Sequence, residues 1–267
     1  MQAAPATPPS AAQTPPKTSR ASTSKPGEAL ANARLLYNQG KYDEAIVAAT
    51  QARQVPASAD AAAIVFARAH LERYRQRAEA QDLTDARTAL TTVDDTKLHP
   101  REHMELVVGL GEALYFDGRL TAAAEFFEVA LGHLDLLEPD ARDLLFEWWA
   151  GALGQQAELG PDADRRSLYT RILARAEEEL RRDDRSPMAS YWLAAAARGT
   201  NDLDRAWGAA LAGWVRAPLT SDKGVMLRAD LDRLVLRAIV PDRAKATAQT
   251  PESLRQQWEQ FKEKWNR

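Results

Sequence analysis

The chain has 267 residues, 45% of them hydrophobic, with 35 Lys plus Arg against 38 Asp plus Glu and a net charge of −3. That length and apolar content suffice for a sizeable core or an extended solenoid, and the slight acidity argues against a dedicated nucleic-acid binder, which carries a basic face. The absence of cysteine excludes disulfides, cysteine-ligated zinc and a thiol nucleophile, and no apolar run approaches the roughly 18 residues that cross a bilayer.

Residues 1–27 hold six of the 14 prolines, with Ala, Ser, Thr and Gln and almost no large apolar residue. Such a segment cannot bury enough surface to offset the entropy of ordering, so it reads as a disordered tail. Tails of this composition often follow a cleaved export signal or a lipid anchor in bacterial envelope proteins, although no basic n-region or apolar h-region is present here. The expectation is a periplasmic or other cell-envelope protein whose mature chain began near Gln2. A cytoplasmic protein with a disordered leader is the alternative.

In residues 28–59, Gly40, Tyr42, Ala45, Ala49 and Ala52 resemble the turn and second helix of the tetratricopeptide repeat, with Pro56 one position before that family's closing proline. A helix from Asp60 to about Arg77 shows a stripe of Ile64, Ala67, Leu71 and Tyr74, and a second follows Gln81. Arg68, Arg73, Arg75 and Arg77 read as a solvated face. The clearest unit runs from Val107 to Leu131. Val107, Leu110, Gly111 and Leu114 form one apolar stripe, and Leu120, Ala123, Phe127, Ala130 and Leu131 form the next. Gly118 can take a left-handed backbone and end the first helix. Gly111, Ala123 and Ala130 would let the two backbones approach closely. A hairpin of this size cannot bury its second face alone, so it implies neighbours.

Leu110-Gly111, Leu114, Gly118, Ala123, Phe127 and Ala130 resemble the tetratricopeptide repeat, a 34-residue helix-turn-helix unit, with Val107 standing where the family often has Trp. The resemblance covers roughly residues 28–218 and is strongest in three units. In the last of these, Leu193-Ala194, Ala197, Leu203, Ala206, Ala210, Gly213, Trp214 and Pro218 fit the family spacing, and Asn201 stands where Gly40 and Gly118 stood. Residues 139–185 form a longer unit, with Pro139 in a first helical turn and Asp162 or Asp164 capping the helix after Gly160-Pro161. The run from Glu177 to Arg185 reads as exposed. A helix from about Asp222 to Val240 covers the open end. Thr250-Pro251 starts a last helix with an aromatic stripe of Leu254, Trp258, Phe261 and Trp265, which either caps the stack or docks in a partner's groove.

Signatures of chemistry are sparse. His99-Pro-Arg-Glu-His103 matches H-x-x-E-H, which in zinc peptidases sets two imidazoles on one helical face. Here Pro100 leaves His99 at the helix edge and only His70 and His133 remain as further histidines, so the pair reads as two exposed residues at a helix start. No dinucleotide loop, phosphate loop or nucleophile elbow is present. Asp94-Asp95 and Asp183-Asp184 read as helix-terminal charges. No cofactor and no metal are expected.

The resemblance implies an all-α fold: an α-α superhelix, a right-handed solenoid of about five helical hairpins over 28–218, with capping helices over 219–267. It also implies a ligand groove lined by first helices. Family spacing puts Arg34, Tyr37 and Asn38 there, then Glu112, Tyr115 and Phe116, then Tyr191 and Arg198. Glu112, at one position of the family's carboxylate clamp, would repel a peptide carboxylate. The expected function is a non-enzymatic scaffold binding a protein or peptide. The alternatives are homo-oligomerisation through the aromatic C-terminal helix and a metal-dependent hydrolase using residues 99–103.

Overall fold

In a computed structural model, residues 26–137 and 141–265 are described, and they contain helices and no strand. Five antiparallel pairs follow one another: α1 Pro26–Asn38 with α2 Tyr42–Ala52, α3 Ala59–Arg77 with α4 Ala80–Thr91, α5 Pro100–Phe116 with α6 Leu120–Gly132, α7 Ala141–Leu159 with α8 Asp162–Arg182, and α9 Pro187–Gly199 with α10 Leu203–Arg216. Then α11 Val225–Leu234 runs through a π-helical turn, Val235–Ile239, into α12 Val240–Ala246, and α13 Pro251–Trp265 ends the chain. Each element packs mainly on its sequence neighbours. The tail and Pro139 lie outside the described residues.

Three hairpins turn by the same device. Gly40, Gly118 and Asn201 have φ of +71°, +72° and +67°. In each, that residue's N–H reaches the carbonyl three residues back and the next N–H reaches five back: Lys41 to Leu36, Arg119 to Leu114 and Asp202 to Ala197. This is the double-bonded left-handed cap that glycine, and next asparagine, accepts most readily. The α3/α4 turn lacks it and uses Ala78 at φ +55°. The extra residues of that unit lie in the helix, since α3 has 19 residues against 13 in α1.

The core is a series of seams between helices, not one central mass. Ala33, Ala48, Ala49 and Val65 join the first helices, and Ile64, Leu71, Ala86, Leu90 and Leu106 the next. Phe127, Phe146, Trp149, Leu153 and Ile172 fill the middle, and Trp214, Leu231, Ile239, Leu254 and Trp258 the end. Alanine and glycine at these seams let backbones approach closely. A Cβ on Gly111 would sit 2.8 Å from Cε1 of Phe127 and 3.2 Å from Cβ of Phe126.

Four local expectations need correction. Arg75 and Arg77 are exposed as expected, but Arg68 and Arg73 are not part of a solvated face. Arg73 Nε donates to both oxygens of buried Asp82 at 2.9 and 3.0 Å, while its Nη1 and the Nη2 of Arg77 reach Asp43 of α2 at 2.9 and 2.7 Å. Arg75 pairs with Glu72 and Arg68 is enclosed. Long guanidinium side chains reach acids on neighbouring helices, which a single-helix periodicity does not reveal. Glu179, in the run read as exposed, is buried and accepts from Arg142 and Arg175. Neither Asp162 nor Asp164 caps α8; Pro161 precedes it and both acids lie in its first turn. The helix after Gly224 does not stop at Val240. Pro241 has no N–H for the carbonyl of Arg237, and the π turn just before it absorbs the mismatch so that the helix continues to Ala246.

Close approach at Gly111 has a measurable sign. Gly111→Ala should lose about 1–3 kcal/mol of unfolding free energy through overpacking, although alanine is the better helix former. Gly208→Ala in α10, where an added Cβ meets nothing within 4 Å, should gain up to about 1 kcal/mol. Denaturant unfolding of the two variants beside the parent measures both.

Candidate functional site

The odd-numbered helices, with Tyr42 of α2 and Tyr169 of α8, line two hollows on one face. The first, of about 550 Å³, is walled by Arg34, Tyr37 and Asn38 of α1, Arg68, Glu72 and Arg75 of α3, Glu105 and Glu112 of α5, and Leu144 and Leu145 of α7. The second, of about 730 Å³, is walled by Tyr115 and Phe116 of α5, Glu147, Trp148, Gly151 and Glu158 of α7, and Tyr191, Trp192 and Arg198 of α9. Arg75 and Leu144 border both, so the two hollows adjoin. All eight groove residues named from family spacing line them: Arg34, Tyr37, Asn38 and Glu112 in the first hollow, Tyr115, Phe116, Tyr191 and Arg198 in the second.

Sequence reading missed the α3 and α7 contributions, because repeat register was uncertain in the long units. A signal was there. Leu144, Glu147, Trp148, Gly151, Gln155 and Glu158 follow the i, i+3, i+4, i+7 pattern of one helical stripe, as do Arg68, Glu72 and Arg75.

The first hollow is polar and tightly paired. Arg34 reaches from α1 to Glu102 and Glu105 of α5, at 3.1 and 3.2 Å. Beneath it, Arg68 lies 3.6 Å from Glu112, stacks over the Tyr37 ring at 5.0 Å, and leaves its Nε without an acceptor. Glu112 is 1% exposed and neither oxygen has a hydrogen-bond donor. Burial pushes its pKa up to about 7; Arg68 works against this and Glu72 adds to it. Burial works against the charge on Arg68, but Tyr37, Glu112, Glu105 and Glu72 hold its pKa above the ordinary arginine value. Burial likewise raises Tyr37. Glu112 therefore does not meet a ligand as a free surface charge, which corrects the picture of a carboxylate displayed to repel a peptide terminus.

The second hollow is aromatic. Tyr115 and Trp148 meet edge to face at 4.7 Å, Phe116 and Trp148 at 5.4 Å, and Tyr191 and Trp192 at 5.2 Å. Gly151 and Gly154 keep the α7 wall low, and Trp192 packs where a Gly154 Cβ would be, at 3.3 Å. Burial raises Tyr191 to about 12. Arg198 is held by Asp242 at 2.9 Å and Glu158 at 3.7 Å.

Of the aromatic stripe on α13, Leu254 and Trp258 are fully buried, and the Trp258 indole N–H donates to Asp232 at 2.6 Å. Both are committed to packing on α10–α12 and are unavailable to a partner, which corrects their candidacy as docking residues. Phe261 is half-buried, and Trp265 is 45% exposed. His99 and His103 are both exposed at the start of α5. Glu102 between them accepts from the His99 backbone N–H at 3.1 Å and from Arg34. Among the described residues no group of three His, Cys, Asp or Glu side chains could hold a metal ion, and no helix is long and apolar enough to cross a membrane.

Comparison with models of known protein families gives no match, and comparison with curated proteins gives none.

Glu112 makes stability depend on pH. Its folded pKa of about 7 exceeds the ordinary 4.5, so the folded state binds the proton more tightly and stability falls as pH rises through that interval. The loss on full ionisation is on the order of 3 kcal/mol. Glu112→Gln cannot ionise, so its stability relative to the parent should be greater at pH 8 than at pH 5. Urea unfolding at the two pH values measures this; an equal difference at both would contradict the buried, raised carboxyl.

Proposed function

We propose that the chain is a non-enzymatic scaffold of the tetratricopeptide-repeat kind, a right-handed superhelical stack that holds a protein or peptide segment along the face of its odd-numbered helices. The observation that carries this reading is the pair of adjoining hollows lined by α1, α3, α5 and α7 and by α3, α5, α7 and α9. A ligand lying there would touch several hairpins at once, which suits an extended or helical segment. The wall is rich in Tyr, Trp and Arg, the side chains that dominate binding energy at protein interfaces.

The oligomerisation alternative is weakened by burial of Leu254 and Trp258, which leaves Trp265 as the large apolar surface on α13. The hydrolase alternative is weakened by the pairing of Glu102 with Arg34 and by the lack of a third ligand near His99 and His103 among the described residues. An envelope location rests on the composition of residues 1–27 alone.

Selection from a random peptide library on the purified full chain tests the reading. Leu144→Ser combined with Tyr115→Ser should weaken a selected peptide roughly tenfold or more, the scale of lost central anchors. Val129→Ser, at an exposed position on α6, should leave affinity unchanged. Equal loss with Val129→Ser, or none with the groove pair, would remove the groove from the account.

A further inference from the structure

The chain sets its own cations over its tryptophans, except in the second hollow. There are seven tryptophans. Arg228 lies over Trp214 at 4.9 Å and Arg243 over Trp207 at 5.5 Å, while Arg171, Lys262 and Lys264 lie over Trp149, Trp258 and Trp265 at 6.0 Å. A cation at such a distance is drawn to the negative face of the ring. Trp148 and Trp192, the two that line the second hollow, have no cation over them among the described residues, and Tyr115, Phe116 and Tyr191 on the same wall have none either. All five rings are partly exposed.

The same wall carries an acid without a cation. Glu147 is exposed and enters no ion pair among the described residues. The arginines of the hollow are engaged elsewhere, Arg75 with Glu72 at 2.7 Å and Arg198 with Asp242 at 2.9 Å. Asp143, one turn earlier on α7, and Asp230 of α11, itself paired with Arg233, add negative charge near Glu147. Like charges four residues apart on a helix work against it unless a cation joins them. Leu144 and Leu159, 39% and 82% exposed, put apolar surface on the same wall.

Bare rings and a bare carboxylate side by side describe one missing group. A guanidinium is planar, pairs with a carboxylate through two parallel hydrogen bonds, stacks on aromatic faces, and gives up water more readily than an ammonium. We infer that the second hollow takes an arginine side chain from a partner protein segment, its guanidinium at Glu147 and against the aromatic wall, with apolar neighbours of that arginine on Leu144 and Leu159. This rests on the groove reading above and names the chemistry the partner presents.

Peptides selected from a random library on the full chain are the probe. Those that lose affinity with the Leu144→Ser, Tyr115→Ser pair should carry arginine several-fold above its frequency in the unselected library. In one such peptide, exchanging the arginine for citrulline, which keeps the shape and removes the charge, should weaken binding to the parent about fivefold and leave binding to Glu147→Gln unchanged. Glu147 is exposed, so its variant leaves the stack intact, and the citrulline exchange does not touch the protein. Hollow-dependent peptides without arginine enrichment, or a citrulline effect as large on Glu147→Gln as on the parent, would overturn the arginine site and leave the groove reading standing. If no selected peptide depends on the Leu144, Tyr115 pair, the groove reading falls and this inference with it.

Discussion

A helical hairpin has two apolar faces, and its own two helices cover only the one between them. Everything else here follows from that constraint. Each pair must be covered by the next, so the core becomes a succession of seams, and a chain of some 240 described residues builds length instead of a central mass. The seams are narrow because alanine and glycine occupy them, with Phe127, Phe146, Trp149 and Trp258 filling the wider gaps. The end of the row needs a different solution, and α11 to α13 provide it by turning Leu231, Ile239, Leu254 and Trp258 onto α9 and α10.

Close stacking puts the second helix of each pair on one side and the first on the other, and the side of the first helices is hollowed. The polar groups there are expensive ones. Arg68 and Glu112 face each other in a buried site, with neither fully hydrogen-bonded. Buried pairs of this kind contribute little net stability compared with apolar packing of the same volume. Such a pair lies on the floor of the first hollow, where Tyr37 stacks on Arg68.

Much of this was legible in the residues. Gly40, Gly118 and Asn201 marked the turns, because a left-handed backbone is demanding and few side chains tolerate it. Family spacing then located Tyr37, Tyr115 and Tyr191 on the hollowed face. What stayed hidden has physical causes. Arg73 and Glu179 looked exposed because their partners, Asp43 and Arg142, lie on other helices and long side chains cross seams. The α7 wall was missed because its 19-residue helix broke the repeat register, although its own stripe is regular. The helix past Val240 was missed because the π turn that carries it through Pro241 has no sequence signature of its own.

The central claim is that ligands lie along the odd-numbered helices. Hydrogen exchange of the full chain, with and without a saturating library-selected peptide, tests it most directly. The account predicts that added protection falls on α3, α5, α7 and α9, on the segments bearing Arg75, Tyr115, Trp148 and Trp192, while α4, α6 and α10 exchange as before. Protection concentrated on those even-numbered helices, or on α13 around Trp265, would contradict it.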